Sequence, residues 1–292
     1  MSMMSPTRNT RADLYRLGAG VLITTVCALS VHVLMLQRLH VPFPELSVIS
    51  PPFKFAIRVM ATLGLIFFWQ LSCRKLPRSF VKQAAALFLF SAMLTENLFR
   101  GPFMDAYCTT AWTFMFVANI PKLLMMALAA AMIAAAAPRL PLVSRKVAGA
   151  LVITALSEFV VGPLIGKAMG PVMAAIAHLA PQSEWCTLPY GANVLIPAYL
   201  TFLEPVLACF GGAALIWDQL SRSRGMRFVQ FTLLILLIKN QLITPFVYAM
   251  LAKMPFLIAL ASDGQFALEA AALALLTGLT WERSISRRAI ST

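Results

Sequence analysis

Charge is scarce in this sequence. Of its 292 residues only 12% are Asp, Glu, Lys or Arg, while 60% are hydrophobic and the mean hydropathy is +0.81. Soluble globular chains are about a quarter charged, so the composition excludes that class and points to a polytopic membrane protein. Segments of strict apolar–polar alternation are missing, which excludes an outer-membrane barrel. Histidine is rare: His32, His40 and His178 are the only three, and no two stand three or four apart. No helix face therefore offers the paired ligands that zinc or di-iron sites use. His32 and His178 are formal axial candidates for haem, but a lone intramembrane histidine more often bonds a neighbouring helix. Neither a metal nor a cofactor is expected. There is no Cys-x-x-Cys, phosphate loop, glycine-rich dinucleotide fingerprint or serine elbow, so the common enzyme classes lose their usual signatures. Low-complexity tracts and long linkers are also missing. The expectation is one transmembrane domain over residues 1–292, with short cytoplasmic flanks at 1–16 and 282–292.

Long apolar runs are abundant. About eight reach the roughly 20 residues a helix needs to cross a bilayer: Leu17–Gln37, Phe55–Cys73, Phe80–Phe99, Ala118–Ala137, Val147–Gly166, Ala192–Trp217, Phe228–Met250 and Pro255–Trp281. Leu17–Gln37 is too long for the core of a typical secretory signal and reads as a retained first span. Val41–Phe53 is short and proline-rich, and Lys167–Ala180 is a second short apolar stretch. The first is expected at the outer interface, the second as a re-entrant or interfacial helix. The fold class is all-α, a bundle of about eight transmembrane helices.

The formal charge of +13 is explained by where the cations fall. They gather at Arg8, Arg11 and Arg16, at Arg74, Lys75, Arg78 and Lys82, at Arg139, Arg145 and Lys146, at Arg222, Arg224 and Arg227, and at Arg283, Arg287 and Arg288. These are the N-terminus, every second loop and the C-terminus. Cytoplasmic loops are enriched in Lys and Arg, so both termini are placed in the cytoplasm of a bacterial inner-membrane protein. The cations face anionic headgroups, and the lipid bilayer rather than nucleic acid is the expected partner.

The odd-numbered spans share an ending, a polar residue five positions before a proline: Gln37…Pro42, Asn97…Pro102, Glu158…Pro163 and Asn240…Pro245. Proline removes a backbone donor and clashes with the preceding turn, so each helix should stop or kink there. The polar residue can meet the freed carbonyls or line a cavity. The recurrence suggests four helical hairpins in a row.

One of these endings, T-E-N-L-F-R-G at residues 95–101, resembles the first motif of the CAAX-protease-like membrane peptidases, E-E-x-x-x-R. Glu96 and Arg100 match it, while Thr95 stands where that family has its other glutamate. The resemblance would imply an intramembrane peptidase. However, the family's second motif, F-x-x-x-H, is absent, because Ala174 lies four residues before His178, and its H-x-x-x-N/D motif is absent as well. A resemblance that covers seven residues, with Glu96 and Arg100 as its matches and without the metal-binding histidines, does not carry a proteolytic reading.

Of the five cysteines, Cys27, Cys73 and Cys209 lie in or beside spans, where cysteine serves as a small packing residue. Cys108 and Cys186 fall in loops on the non-cytoplasmic side, an oxidising space, and are the disulfide candidates.

The intramembrane charges carry the functional expectation. Glu96, Lys122, Glu158, Glu204, Lys239 and Glu269 all lie within spans, with Arg100 and Asn240 beside them. Glu204 and Lys239 lie about 18 Å from a span end at 1.5 Å per residue. Buried charges are costly unless paired, so these groups should converge inside the bundle. The reading is an outward-facing polar cavity, with Glu204, Lys239, Glu158 and Glu269 as its floor and Glu96, Arg100 and Lys122 nearer its mouth. It would bind a small or amphipathic substrate, or protons, as in a transporter-like carrier. The alternatives are a non-transporting scaffold or accessory subunit with a membrane-protein partner, and a membrane enzyme acting on a lipid-linked substrate.

Overall fold

The computed structural model describes the backbone of residues 7–285 and the side chains of residues 15–284. Arg8, Arg11, Arg287 and Arg288, read above as basic flanks, lie outside the described side chains. The chain forms twelve α-helices among the described residues: α1 (Thr7–Gln37), α2 (Pro51–Ser72), α3 (Phe80–Leu94), α4 (Arg100–Thr109), α5 (Trp112–Ala136), α6 (Val143–Leu156), α7 (Gly162–Ala175), α8 (Ala192–Thr201), α9 (Leu203–Ile216), α10 (Arg224–Ile238), α11 (Thr244–Leu251) and α12 (Phe256–Ile285). A π-helical segment, Ser157–Val161, joins α6 to α7 without a break. Six helical stretches are long and apolar enough to cross a membrane: Tyr15–Gln37, Pro51–Ser72, Trp112–Arg139, Val143–Ala175, Ala192–Gln219 and Phe256–Ser284. Many large apolar side chains point outward, among them Leu22, Val26, Leu128, Val152, Phe159 and Leu207. Soluble monomers do not carry so much exposed apolar surface. This is the build of a multi-pass membrane protein.

Helix α9 occupies the centre. Val206, Cys209, Ala213 and Ile216 are fully enclosed, and α9 packs on α1, α2, α3 and α12. Small residues permit close approach where helices cross. Gly20 of α1 lies so near Thr280 of α12 that an added Cβ would fall 2.0 Å from a side-chain carbon, and α1 packs chiefly on α12. Helix α2 packs on α6 and α10, so the neighbours in space are not simply consecutive hairpins.

Three sequence expectations are corrected. Residues 80–99 and 228–250 are not continuous spans, because α3 stops at Leu94 and α10 at Ile238, several residues before their prolines. Lys167–Ala180 is not a separate re-entrant helix. Its first nine residues continue α7, within one helical stretch from Val143 to Ala175. The cause is local: Pro163 cannot donate a hydrogen bond, and the chain absorbs the defect as a π-turn instead of stopping.

The two breaks close alike. At the end of α3, Glu96 N donates to Met93 O (3.0 Å) and Asn97 N to Ala92 O (2.8 Å), with Glu96 in the left-handed region at φ 61°. At the end of α10, Asn240 N donates to Leu237 O (3.1 Å) and Gln241 N to Leu236 O (2.7 Å), with Asn240 at φ 62°. Both are Schellman terminations, which satisfy the last helical carbonyls within the backbone. Each chain then re-enters a helix with its proline in the first turn, where a missing N–H costs nothing.

Candidate functional site

The two breaks meet at one cavity of about 1140 Å³. Its wall is built from α2 (Lys54, Ile57, Arg58, Leu65), the turn after α3 (Glu96, Asn97), the start of α4 (Arg100), α5 (Lys122, Met125, Met126), the π-turn (Glu158), the turn after α10 (Lys239, Asn240, Gln241) and α12 (Phe266, Glu269). Part of that wall is a largely buried ionic chain. Glu96 accepts from Lys239 Nζ at 2.5 Å on one oxygen and from Arg100 Nε at 2.6 Å on the other. Lys239 Nζ also reaches Leu94 O at 3.3 Å and stands 4.0 Å from Glu269 Oε1. The Lys239 and Glu269 side chains are 7% and 5% exposed, so each charge there depends on its neighbours for compensation. Arg100 completes its contacts on α8, donating to Ala198 O (3.0 Å) and Thr201 Oγ1 (3.1 Å), with its guanidinium over the Phe202 ring.

A second ion pair, Arg58 with Glu158, lies on a more open part of the wall. The π-turn carries Glu158, and π-turns of this kind recur at functional sites because they re-aim one side chain. Lys122, also in the wall, forms no ion pair among the described residues, nor does Lys54.

Glu204 must be moved out of the cavity floor. It is 7% exposed and does not line the cavity. Its carboxylate turns to the α3–α4 break, accepting from Leu98 N and Phe99 N at 3.0 Å each and also from Arg100 N. Phe99 N and Arg100 N have no backbone acceptor at the start of α4, while Leu98 N also reaches Ala92 O at 3.3 Å, and a carboxylate opposite these amides satisfies both the free donors and the helix dipole. The rest of the break is equally accounted for. Asn119 Nδ2 donates to Asn97 O at 2.7 Å, and Gly101 N to Glu96 O at 2.8 Å. An added Cβ on Gly101 would stand 2.7 Å from that carbonyl, so only glycine fits this turn.

Seven of the eight charged or polar site residues expected from the sequence therefore line the cavity (Glu96, Arg100, Lys122, Glu158, Lys239, Asn240 and Glu269) and Glu204 does not. Sequence reasoning missed Arg58 and Lys54. Their spacing of four places them on one face of α2, and Arg58 falls inside the second apolar run, so a signal existed. Gln241 was also missed as a lining residue; its Oε1 and Asn240 Oδ1 are buried without a hydrogen-bond partner in the protein.

Cys108, in the last turn of α4, is joined to Cys186 by a disulfide with a Cα–Cα distance of 5.2 Å. Trp185 holds the same junction through its backbone N to Cys108 O (3.0 Å) and Nε1 to Tyr107 O (2.9 Å). The basic loops meet at the opposite end of the bundle, where Lys75 pairs with Asp218 and Arg224 with Glu282. Among the described residues no three of His, Cys, Asp and Glu cluster as metal ligands. Glu96 and Arg100, the residues matching the peptidase motif, pair with each other. Comparison with protein-family models, curated proteins and solved structures finds no match in any of the three.

Proposed function

We propose that the protein is a carrier in a bacterial inner membrane, crossing it eight times, with an aqueous cavity open to the periplasm. The count of eight adds two interrupted crossings, α3 with α4 and α10 with α11, to the six uninterrupted stretches. Both termini are then cytoplasmic, the basic loops lie inside and the Cys108–Cys186 bridge lies outside, where disulfides persist. The observation that carries the reading is the meeting of two broken helices at one charged cavity. Breaks of this kind are tolerated at membrane depth only where the freed backbone is buried in protein or lines a polar space, and secondary transporters place their substrate sites there. Glu269, a buried acid at the cavity wall held only by a distant lysine, is the group best placed to exchange a proton during transport.

A carrier must expose its floor to each side in turn. A cysteine at Gln241, in a chain whose Cys27, Cys73 and Cys209 have been replaced, should react with an impermeant maleimide in right-side-out vesicles and, more slowly, in inverted ones. Reaction from the outside alone would remove the carrier reading and leave an outward-facing binding scaffold.

A further inference from the structure

The cavity wall holds five cationic side chains and three carboxylates, a formal excess of two. Pairing locates that excess. Arg58 is matched by Glu158, Arg100 by Glu96, and Lys239 stands between Glu96 and Glu269. Lys54 and Lys122 are left over. Asp105 on α4 exerts its field on Lys122 but makes no ion pair with it. Both lysines lie towards the end of the bundle that bears the disulfide: Lys54 is three residues into α2, and Lys122 is ten residues into α5, the helix that follows Cys108. Part of the wall beyond them is apolar, with Met125 and Met126 one turn further along α5 than Lys122 and Leu65 about 10 Å further along α2 than Arg58. Methionine there gives a soft wall that adapts to varied apolar shapes.

We propose that the cavity selects an amphipathic anion, with a phosphate or carboxylate head held between Lys54 and Lys122 and an apolar body lying along Met125, Met126 and Leu65. This rests on the same cavity as the carrier reading and adds the substrate class to it. Charge selects the head because only these two cations lack a carboxylate partner in the cavity. Size permits the body, since 1140 Å³ exceeds what a small inorganic ion needs and slightly exceeds the usual range for drug-sized ligands.

The test is a melting-temperature titration of the purified full chain in neutral detergent with hexyl phosphate, inorganic phosphate and hexyltrimethylammonium. Hexyl phosphate should raise the melting temperature saturably and the ammonium probe should not. Lys54→Gln with Lys122→Gln should weaken the apparent affinity about tenfold or more, as expected for loss of charge-assisted hydrogen bonds. Lys54→Arg with Lys122→Arg should retain it, as should Lys82→Gln at the opposite end. The alkyl ester should outperform inorganic phosphate; an equal response to the two would overturn the apolar half of the proposal and leave a site for a free anion only. Stabilisation by the ammonium probe alone, or by neither probe, would overturn the proposal. So would an alkyl-phosphate response unchanged in the double glutamine variant. Two-sided labelling at Gln241 is independent of these results, so a carrier with another substrate class would be told apart from no carrier at all.

Discussion

The α3–α4 and α10–α11 breaks begin with the same backbone and end with different chemistry. Each stops in a Schellman turn with a non-glycine residue at positive φ, and each restarts around a proline. At the first, three consecutive amides are taken by the Glu204 carboxylate and a carbonyl by Asn119. At the second, the restart is local: Thr244 Oγ1 donates to Asn240 O. The difference shows that two breaks of the same backbone form can serve different ends, because the groups that satisfy the freed backbone decide what each break presents. The first break has a fixed, charge-capped restart and presents an acid and a guanidinium. The second presents an amine, and Lys239 staples the two by reaching both Leu94 O and Glu96.

That staple sets the largest expected effect. Lys239→Met leaves the Glu96, Arg100 and Glu269 group with one uncompensated negative charge, and should cost about 3–5 kcal/mol of stability. Adding Glu269→Gln should recover much of that loss, a coupling that thermal unfolding of the single and double variants would measure. Full additivity of the two changes would break the staple. Next comes Glu204→Ala, which strips the α4 restart of its acceptor. About 3 kcal/mol is expected from unsatisfied amides, with hydrogen exchange accelerated at Leu98–Arg100 and unchanged at Gln241–Thr244. Thr244→Val removes one hydroxyl bond at the second break and should cost about 1 kcal/mol in the same unfolding assay. The smallest effect belongs to Asn240→Gly, which relaxes a positive φ and should lie within about 1 kcal/mol of the parent. Glu96→Gly, at nearly the same φ, should be far more damaging because it also removes the carboxylate from Lys239 and Arg100. Similar losses at both positions would mean that the two breaks differ in backbone strain and not in charge.

Much of the fold is legible in the sequence because it is written in local signals. The polar-then-proline spacing marks four of the irregularities: α1 ends at Gln37, α3 and α10 stop before Pro102 and Pro245, and the π-turn carries Glu158 ahead of Pro163. The exact stopping points were not legible. Glycine is the usual mark of a left-handed helix end, and here Glu96 and Asn240 occupy that conformation instead. Glu204 could not be assigned from sequence either. A midspan acid beside a proline looks the same whether it faces a cavity or caps a helix a hundred residues away, and only the tertiary arrangement separates the two. Arg58 was hidden for the opposite reason: it sits near a span end, where a cation usually needs no partner, and its acid lies a hundred residues further on.

The most direct measurement compares two neighbours on α5. Met126 lines the cavity and Leu128, two residues on, faces outward among the exposed apolar side chains, so the pair lies at nearly equal depth. In the cysteine-depleted chain, Met126→Cys should be labelled by an impermeant maleimide added from the side that bears the Cys108–Cys186 disulfide, and Leu128→Cys should not. Equal labelling of both, or of neither, would contradict a water-reached cavity at the meeting of the two breaks.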